Sequence, residues 1–225
     1  EIPLRLVGSE MCIRDRHIVV GNPVRRRFYD IDKIAAREKL GIPQNDFTVF
    51  SFGGSQGAEK INEVAFELME AVNGHDGVSF IFGTGSQYYD EVLEKAESRG
   101  IEIRDNIRVK SYINDMESYL GAADLIISRA GALSVAETTV CGKASILIPS
   151  PNVTGNHQFF NAKSVADRGG AVLIEEKDLN PEGLLAEVMR LKNNPEILEK
   201  MSRASKACAP LSATELIYSE IKKYE

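Results

Sequence analysis

Residues 47–58, FTVFSFGGSQGA, decide the fold of this chain. The run Phe47 to Phe52 is typical of a strand that is covered on both faces, and the glycines after it allow a sharp turn. Apolar residues then recur at helical spacing, at Ile61, Val64, Leu68 and Val72. The stretch therefore predicts a strand, a tight turn and a helix, which is the repeating unit of a parallel sheet.

The same alternation continues along the chain. Further strands are predicted at 78–82, 107–112, 125–128, 145–148 and 171–174, with helices between them and a helical tail from 182 to 224. Several of these strands are continuous apolar runs, as in sheets with helices on both sides. The sequence therefore predicts the α/β class, with a doubly wound, Rossmann-like parallel sheet that binds its ligand at the carboxyl ends of the strands.

Composition narrows the function classes. The net charge of −6 argues against non-specific binding to nucleic acid or to an anionic membrane surface. No apolar run reaches the ~20 residues of a membrane-spanning helix, so no transmembrane segment is expected. Cys12, Cys141 and Cys208 form no C-x-x-C pair and the histidines are scattered, so we expect a reducing cytosol and no metal site.

The first sixteen residues, EIPLRLVGSEMCIRDR, show no helical or strand period. They resemble translated adapter sequence from a sequencing library, and we expect them not to be native; an irregular segment left by truncation is the alternative. The next residues, HIVV at 17–20, have the pattern of a strand. We therefore predict one nucleotide-binding domain over 17–225, with a helical C-terminal tail.

The glycine turn is the first candidate binding motif, with candidate residues Gly54, Ser55, Gln56 and Gly57. Backbone N–H groups at a helix start, together with the helix dipole, suit a phosphate group. A tight turn without a ligand is the alternative. The spacing is not G-x-G-x-x-G, which argues against a nicotinamide cofactor.

A second motif, SRAGALSVAE at 128–137, again follows an apolar strand and opens a helix. The carboxylate of Glu137 can accept hydrogen bonds from two vicinal hydroxyls, the arrangement that a ribose presents. An isolated helical glutamate faces solvent more often than a ligand, but the surrounding motif favours the ribose.

Two further motifs follow predicted strands. GNPVR at 21–25 places Arg25 on a proline-stiffened turn, where it could pair with a diphosphate or simply belong to a solvated basic run. Asn156, His157, Gln158 and Asn161 could contact sugar hydroxyls, although Asn156 could instead cap a helix. The pair Asp30 and Asp32 has D-x-D spacing, but capping by Asp32 is the better interpretation because a helix follows it directly.

Taken together, these four motifs resemble the C-terminal domain of the MurG family over residues 17–225, in the family's order and at nearly its spacing. The family consists of UDP-N-acetylglucosamine transferases acting on undecaprenyl-pyrophosphoryl-muramyl-pentapeptide, with the two-domain glycosyltransferase-B fold. The resemblance implies that Glu137 holds the ribose, the backbone of Ile113 contacts the uracil, and Ser55 with the glycine turn holds the diphosphate, with Arg25 nearby. It also implies contacts at the diphosphate–sugar end and with the sugar from Gly131, Ala132, Leu133, Ser134, His157, Gln158 and Asn161.

The resemblance further implies an inverting, metal-independent displacement in peptidoglycan synthesis. In the family, the general base and the acceptor and membrane contacts belong to an N-terminal domain, so we expect this chain to bind the donor without transferring sugar. The full-length protein is expected to be cytoplasmic and peripheral on the inner face of the membrane. Two alternatives remain: a donor-binding subunit of a split two-chain transferase, and a nicotinamide-dependent oxidoreductase, slightly supported by Gly83-Thr84-Gly85.

Overall fold

The computed structural model describes residues 20–54, 57–209 and 213–224. Residues 24–209 form one compact unit, and the two chain ends form another, of which 20–23 and 213–224 are described. Residues 1–19 lie outside the described part, and they include the segment expected to be non-native and most of the predicted strand at 17–20.

Within the described residues, six parallel strands form one sheet in the order β3-β2-β1-β4-β5-β6. The chain moves outward from β1 in one direction and from β4 in the other, so these two neighbours flank the topological switch point. The predicted α/β class and doubly wound parallel sheet are confirmed. The strands are β1 (Phe47–Phe52), β2 (Val78–Gly83), β3 (Ile107–Lys110), β4 (Leu125–Ser128), β5 (Ala144–Leu147) and β6 (Ala171–Leu173).

Helices connect the strands and cover both faces of the sheet. Short 3-10 helices lie at Arg26–Phe28, Thr154–Asn156 and Glu176–Asp178. The α-helices of this unit are α1 (Lys33–Leu40), α2 (Glu59–Val72), α3 (Tyr89–Ser98), α4 (Met116–Ala122), α5 (Ala132–Val140), α6 (His157–Ala166), α7 (Pro181–Lys192) and α8 (Pro195–Ala207).

Two apolar layers explain why β1 has apolar residues on both of its faces. Val49 belongs to the layer that contains α2, α3 and α7, whereas Phe50 and Phe52 belong to the layer that contains α1, α4 and α5. The ring of Phe50 lies 5.7 Å from that of Tyr119, on α4. Successive side chains of a strand point to opposite faces, so a strand covered on both faces has no polar side.

Side-chain caps fix the starts of several helices. Asp32 accepts hydrogen bonds from the backbone N–H groups of Ile34 (2.8 Å) and Ala35 (3.3 Å), which confirms its interpretation as the N-cap of α1. Asp115 caps α4 and Asn180 caps α7 in the same way. These caps satisfy N–H groups that have no partner inside the helix.

A buried arginine holds α1 against the amino ends of β1 and β4. Arg37 is 1% exposed, and its guanidinium donates to the carbonyls of Ala122 and Gln44, to Thr48 Oγ1 and to the Asp124 carboxylate at 2.6–3.0 Å. A charge taken out of water is tolerated when its donors are satisfied in this way.

The chain-end unit contains α9 (Ala213–Ile221), followed by a 3-10 turn over Lys222–Tyr224. The predicted helix over 213–224 therefore tightens in its last turn, as helix ends commonly do. Among the described residues, no helix combines the length and the apolar character that crossing a membrane requires.

Candidate functional site

The switch point of the sheet brings the first two motifs side by side. Phe52, the last residue of β1, pairs with Ser128, the last residue of β4. The glycine turn and the SRAG segment therefore leave neighbouring strands at the same edge. Open α/β sheets bind their ligands at this position.

The glycine turn needs its glycines for different reasons. Gly54 has φ +100° with open space around it, whereas a Cβ on Gly57 (φ +85°) would stand 2.3 Å from the carbonyl oxygen of Thr84. A Cβ on Gly53 would stand 2.4 Å from the backbone nitrogen of Ala58, the N-cap of α2. The predicted ligands Ser55 and Gln56 lie outside the described residues, so their placement stays a prediction.

Three of the helices that begin at this edge have no side-chain cap. The N-caps of α2, α5 and α6 are Ala58, Gly131 and Asn156, and none of them makes a side-chain capping bond. Asn156 does occupy the N-cap position of α6, as the alternative interpretation has it, but its backbone is left-handed (φ 52°) and its side chain makes no capping bond. First-turn N–H groups without a side-chain cap suit an anionic ligand.

A cavity of about 140 Å³ opens beside the glycine turn. Three predicted residues from three separate segments of the chain lie on its wall: Gly54, Ile113 and Ser134. Tyr112, with a side chain that is 55% exposed, also lies there and was not predicted. The remaining lining residues are Phe52, Gly83, Gly85, Ser111 and Met116.

Strand β3 ends earlier than its sequence predicts. The apolar pattern predicts a strand over 107–112, but β3 stops at Lys110, and residues 111–113 line the cavity instead. β3 is the edge strand of the sheet and pairs with β2 up to Lys110 and Gly83. The backbone groups beyond that pair are not used by the sheet ladder.

The second motif opens α5, with Gly131 as its N-cap and Ala132 as its first residue. Leu133 is 53% exposed, and Ser134 is half-buried on the cavity wall. Glu137 comes three positions after Ser134, so both side chains lie on the same face of the helix. This arrangement puts the predicted ribose ligand one turn beyond the cavity wall.

Glu137 occupies an unusual electrostatic position. Its half-buried carboxylate makes no hydrogen bond or ion pair with a described residue. Burial raises the pKa of Glu137, the charge of Arg25 opposes this shift, and the charge of Glu117 adds to it. A partly desolvated acceptor without a partner suits a hydroxyl-bearing ligand.

Glu117, on α4, was missed by the sequence analysis. It accepts a hydrogen bond from Arg27 at 2.5 Å and lies 3.9 Å from Arg25. Arg25 is therefore not just a solvated residue of the basic run; its guanidinium also lies 5.1 Å from the centre of the Phe28 ring. Arg27 and Glu117 are 90 positions apart, and no local pattern indicates such a pair.

Side chains of the motif at 156–161 make hydrogen bonds within the protein. Oε1 of Gln158 accepts from the backbone N–H of Ser150 at 2.9 Å, and Nδ2 of Asn161 donates to the carbonyl of Ala130 at 3.0 Å. The exposed ring of His157 has Nδ1 2.9 Å from the carbonyl oxygen of Thr154. Asn161 thus joins α6 to the SRAG segment. None of these three side chains lines the cavity beside the glycine turn.

Arg129, which belongs to the second motif, has a structural role. Its guanidinium donates to the carbonyls of Ile148 and Pro149 and pairs with Glu176. These contacts join the segments that follow β4, β5 and β6. These contacts stabilise the carboxyl edge of the sheet, and Arg129 is not one of the residues that line the cavity.

Known proteins match this architecture. The family model described as the glycosyltransferase family 28 C-terminal domain matches residues 48–217. The enzyme named UDP-N-acetylglucosamine–N-acetylmuramyl-(pentapeptide) pyrophosphoryl-undecaprenol N-acetylglucosamine transferase is 41% identical over 93% of this chain in Desulforudis audaxviator, and 40% identical over 95% of it in Acetivibrio thermocellus. The chain spans 57% and 58% of the lengths of these two relatives.

A solved structure supports the same assignment. Acinetobacter baumannii MurG superposes with a TM-score of 0.69 at 26% identity, covering 87% of this chain and 55% of that one. The resemblance to the MurG family that the four motifs indicated is confirmed. By its sequence and its fold, the chain belongs to glycosyltransferase family 28 and corresponds to the C-terminal domain of that family.

Proposed function

We propose that this chain binds UDP-N-acetylglucosamine as the donor-binding part of the glycosyltransferase that converts lipid I to lipid II in peptidoglycan synthesis. The observation that carries the proposal is the convergence of Gly54, Ile113 and Ser134 on one cavity, with Glu137 one helical turn away. The names of the relatives supply the sugar nucleotide and the lipid-linked acceptor.

Each part of the site has a role under this proposal. The backbone of Ile113 contacts the uracil inside the cavity, and the Glu137 carboxylate accepts hydrogen bonds from the ribose hydroxyls. The N-termini of α2 and α5 face the diphosphate, where a helix dipole favours negative charge. Arg25 adds a cation, and the free atoms of Gln158 and Asn161 contact the sugar.

These groups would also stabilise the leaving group. When the anomeric bond breaks, negative charge develops on UDP, and helix N-termini with a fixed cation stabilise that charge without reorganisation. We propose that the reaction inverts the anomeric centre and needs no metal. The general base that takes the acceptor proton is assigned to the rest of the full-length enzyme, as is attachment to the inner face of the membrane.

Calorimetry with matched ligands tests donor binding. We expect UDP and UDP-N-acetylglucosamine to bind and NAD to fail, because the turn lacks the nicotinamide fingerprint. Glu137→Gln should weaken UDP binding by about five- to 150-fold, the cost of losing hydrogen bonds to a charged acceptor. Glu182→Gln is the matched control, since Glu182 is an exposed glutamate in the first turn of α7.

A deoxy ligand makes the ribose assignment specific. Removing the 2′-hydroxyl of UDP should weaken binding to the wild-type chain but leave the affinity of Glu137→Gln nearly unchanged, because the two changes remove the same contact. Equal losses in both proteins would show that Glu137 does not hold the ribose. A folded chain that binds no uridine nucleotide would refute the proposed function.

A further inference from the structure

Glu117, an acidic residue outside every motif, lies against Arg25, the last residue of the GNPVR motif, and against Arg27, two positions after it. The Glu117 side chain is 15% exposed, and its Oε1 accepts from Nη1 of Arg27. Its Oε2 is buried, accepts no hydrogen bond from a described residue, and lies 3.9 Å from Nη2 of Arg25. A carboxylate this far from water is stable when cations face it, and here two do.

The contact with Glu117 restrains Arg25 but leaves its guanidinium accessible to a ligand. Its side chain is 54% exposed and makes no hydrogen bond with a described residue, so no described group competes with a ligand for its N–H donors. The 3.9 Å ion pair and the stacking over Phe28 limit where the guanidinium can go. A long arginine side chain that is already restrained loses less conformational entropy when a ligand binds.

We propose that Glu117 is a positioning residue of the nucleotide site, holding the guanidinium of Arg25 where it can engage the diphosphate of the donor. This inference rests on the proposed function. Glu117 itself touches no ligand under this proposal and acts through Arg25.

The surrounding charges make the role testable by pH. Arg25 and Arg27 face Glu117 from the start of the 3-10 helix at Arg26–Phe28. Glu137 lies on α5, Cys141 is the residue that ends α5, and the Lys39–Asp115 pair joins α1 to α4. The charge of Glu117 raises the pKa of Glu137. Neutralising Glu117 should therefore move the acid limit of binding to lower pH, whereas Glu117→Asp, which keeps the charge, should leave that limit in place.

The experiment is a double-mutant cycle measured by calorimetry. UDP-N-acetylglucosamine is the probe, because its phosphates carry no second ionisation near pH 6. Glu117→Gln should weaken binding about fivefold at neutral pH, the cost of ordering one long side chain on binding. In an Arg25→Ala background the same change should have an effect below about twofold, because the group through which Glu117 acts is gone.

Two variants complete the design. Arg26→Gln is the matched control, since Arg26 pairs with Asp30 in solvent and should bind like the wild type. If Glu117→Gln fails to fold, as thermal unfolding would reveal, Glu117→Asp keeps the charge on a shorter side chain. It should weaken binding about threefold when Arg25 is present, and not when it is absent.

The outcomes separate this inference from the function on which it rests. Undiminished binding by Glu117→Gln, or an equal loss with and without Arg25, overturns the positioning role while donor binding stands. Failure of the wild-type chain to bind the probe overturns both. A coupled loss together with the acid shift supports the proposal.

Discussion

The glycine turn at the proposed diphosphate site gives a prediction whose size can be worked out from the structure. The perturbation is Gly57→Ala. The new Cβ would stand 2.3 Å from the Thr84 carbonyl oxygen and 2.7 Å from Cδ2 of Tyr88, where ordinary contact begins at 3.4 Å. The Thr84 carbonyl accepts a hydrogen bond from Asn62 Nδ2 at 2.8 Å, so moving it by about 1 Å also strains that bond.

Two free-energy costs add when alanine replaces Gly57. A positive φ costs a residue with a side chain about 1–2 kcal/mol, and overpacking against a fixed backbone costs about 1–3 kcal/mol. We therefore expect Gly57→Ala to lower the free energy of unfolding by about 2–5 kcal/mol. Gly54→Ala is the matched control: it has a positive φ but no atom within 4 Å, so about 1–2 kcal/mol is expected.

Urea unfolding followed by far-UV circular dichroism measures both variants, compared at an unchanged denaturant slope. The difference between the two variants isolates the steric term, because they share the same turn. If Gly57→Ala and Gly54→Ala differ by less than about 0.5 kcal/mol, within the additivity error of such comparisons, the close approach of Thr84 does not limit this turn and the reasoning is wrong.

Three further predictions concern the site and its scaffold. Because the pKa of Glu137 is raised, this carboxylate takes up a proton at a higher pH than an ordinary glutamate does. The affinity for UDP-N-acetylglucosamine should therefore fall as the pH drops through that pKa, by up to about tenfold per pH unit. Calorimetry on Glu137→Gln should show no such fall in affinity. Arg37→Met should destabilise the fold by about 3–5 kcal/mol in urea unfolding, because it takes the buried cation away from Asp124 and leaves that carboxylate with the more exposed Lys33 as its ion-pair partner, whereas Arg203→Met, at an exposed pair, should cost less than about 0.5 kcal/mol. EDTA should leave the affinity for UDP-N-acetylglucosamine unchanged, and a loss restored by Mg²⁺ would contradict the proposed metal independence.

Local sequence patterns were sufficient to predict most of the fold. The apolar runs gave the strands because both faces of the sheet are covered, and the helical spacing from Ile61 to Val72 gave α2. The end of β3 was less predictable. The apolar pattern continues to Tyr112, but pairing stops at Lys110, where the neighbouring strand β2 ends at Gly83. The limit of a strand depends on its partner as well as on its own residues.

The sequence by itself determined the class of fold, the glycine turn, the helix that Asp32 caps and the family to which the motifs belong. These features follow from residues close together in the chain, whose spacing reflects backbone geometry. Tertiary structure decided which motif residues share a cavity, why Gly57 differs from Gly54, and the pairing of Arg25 with Glu117. The physical reason is distance along the chain: such contacts join segments that meet only when the sheet has formed, and the charge and burial that set the pKa of Glu137 exist only in that assembled environment.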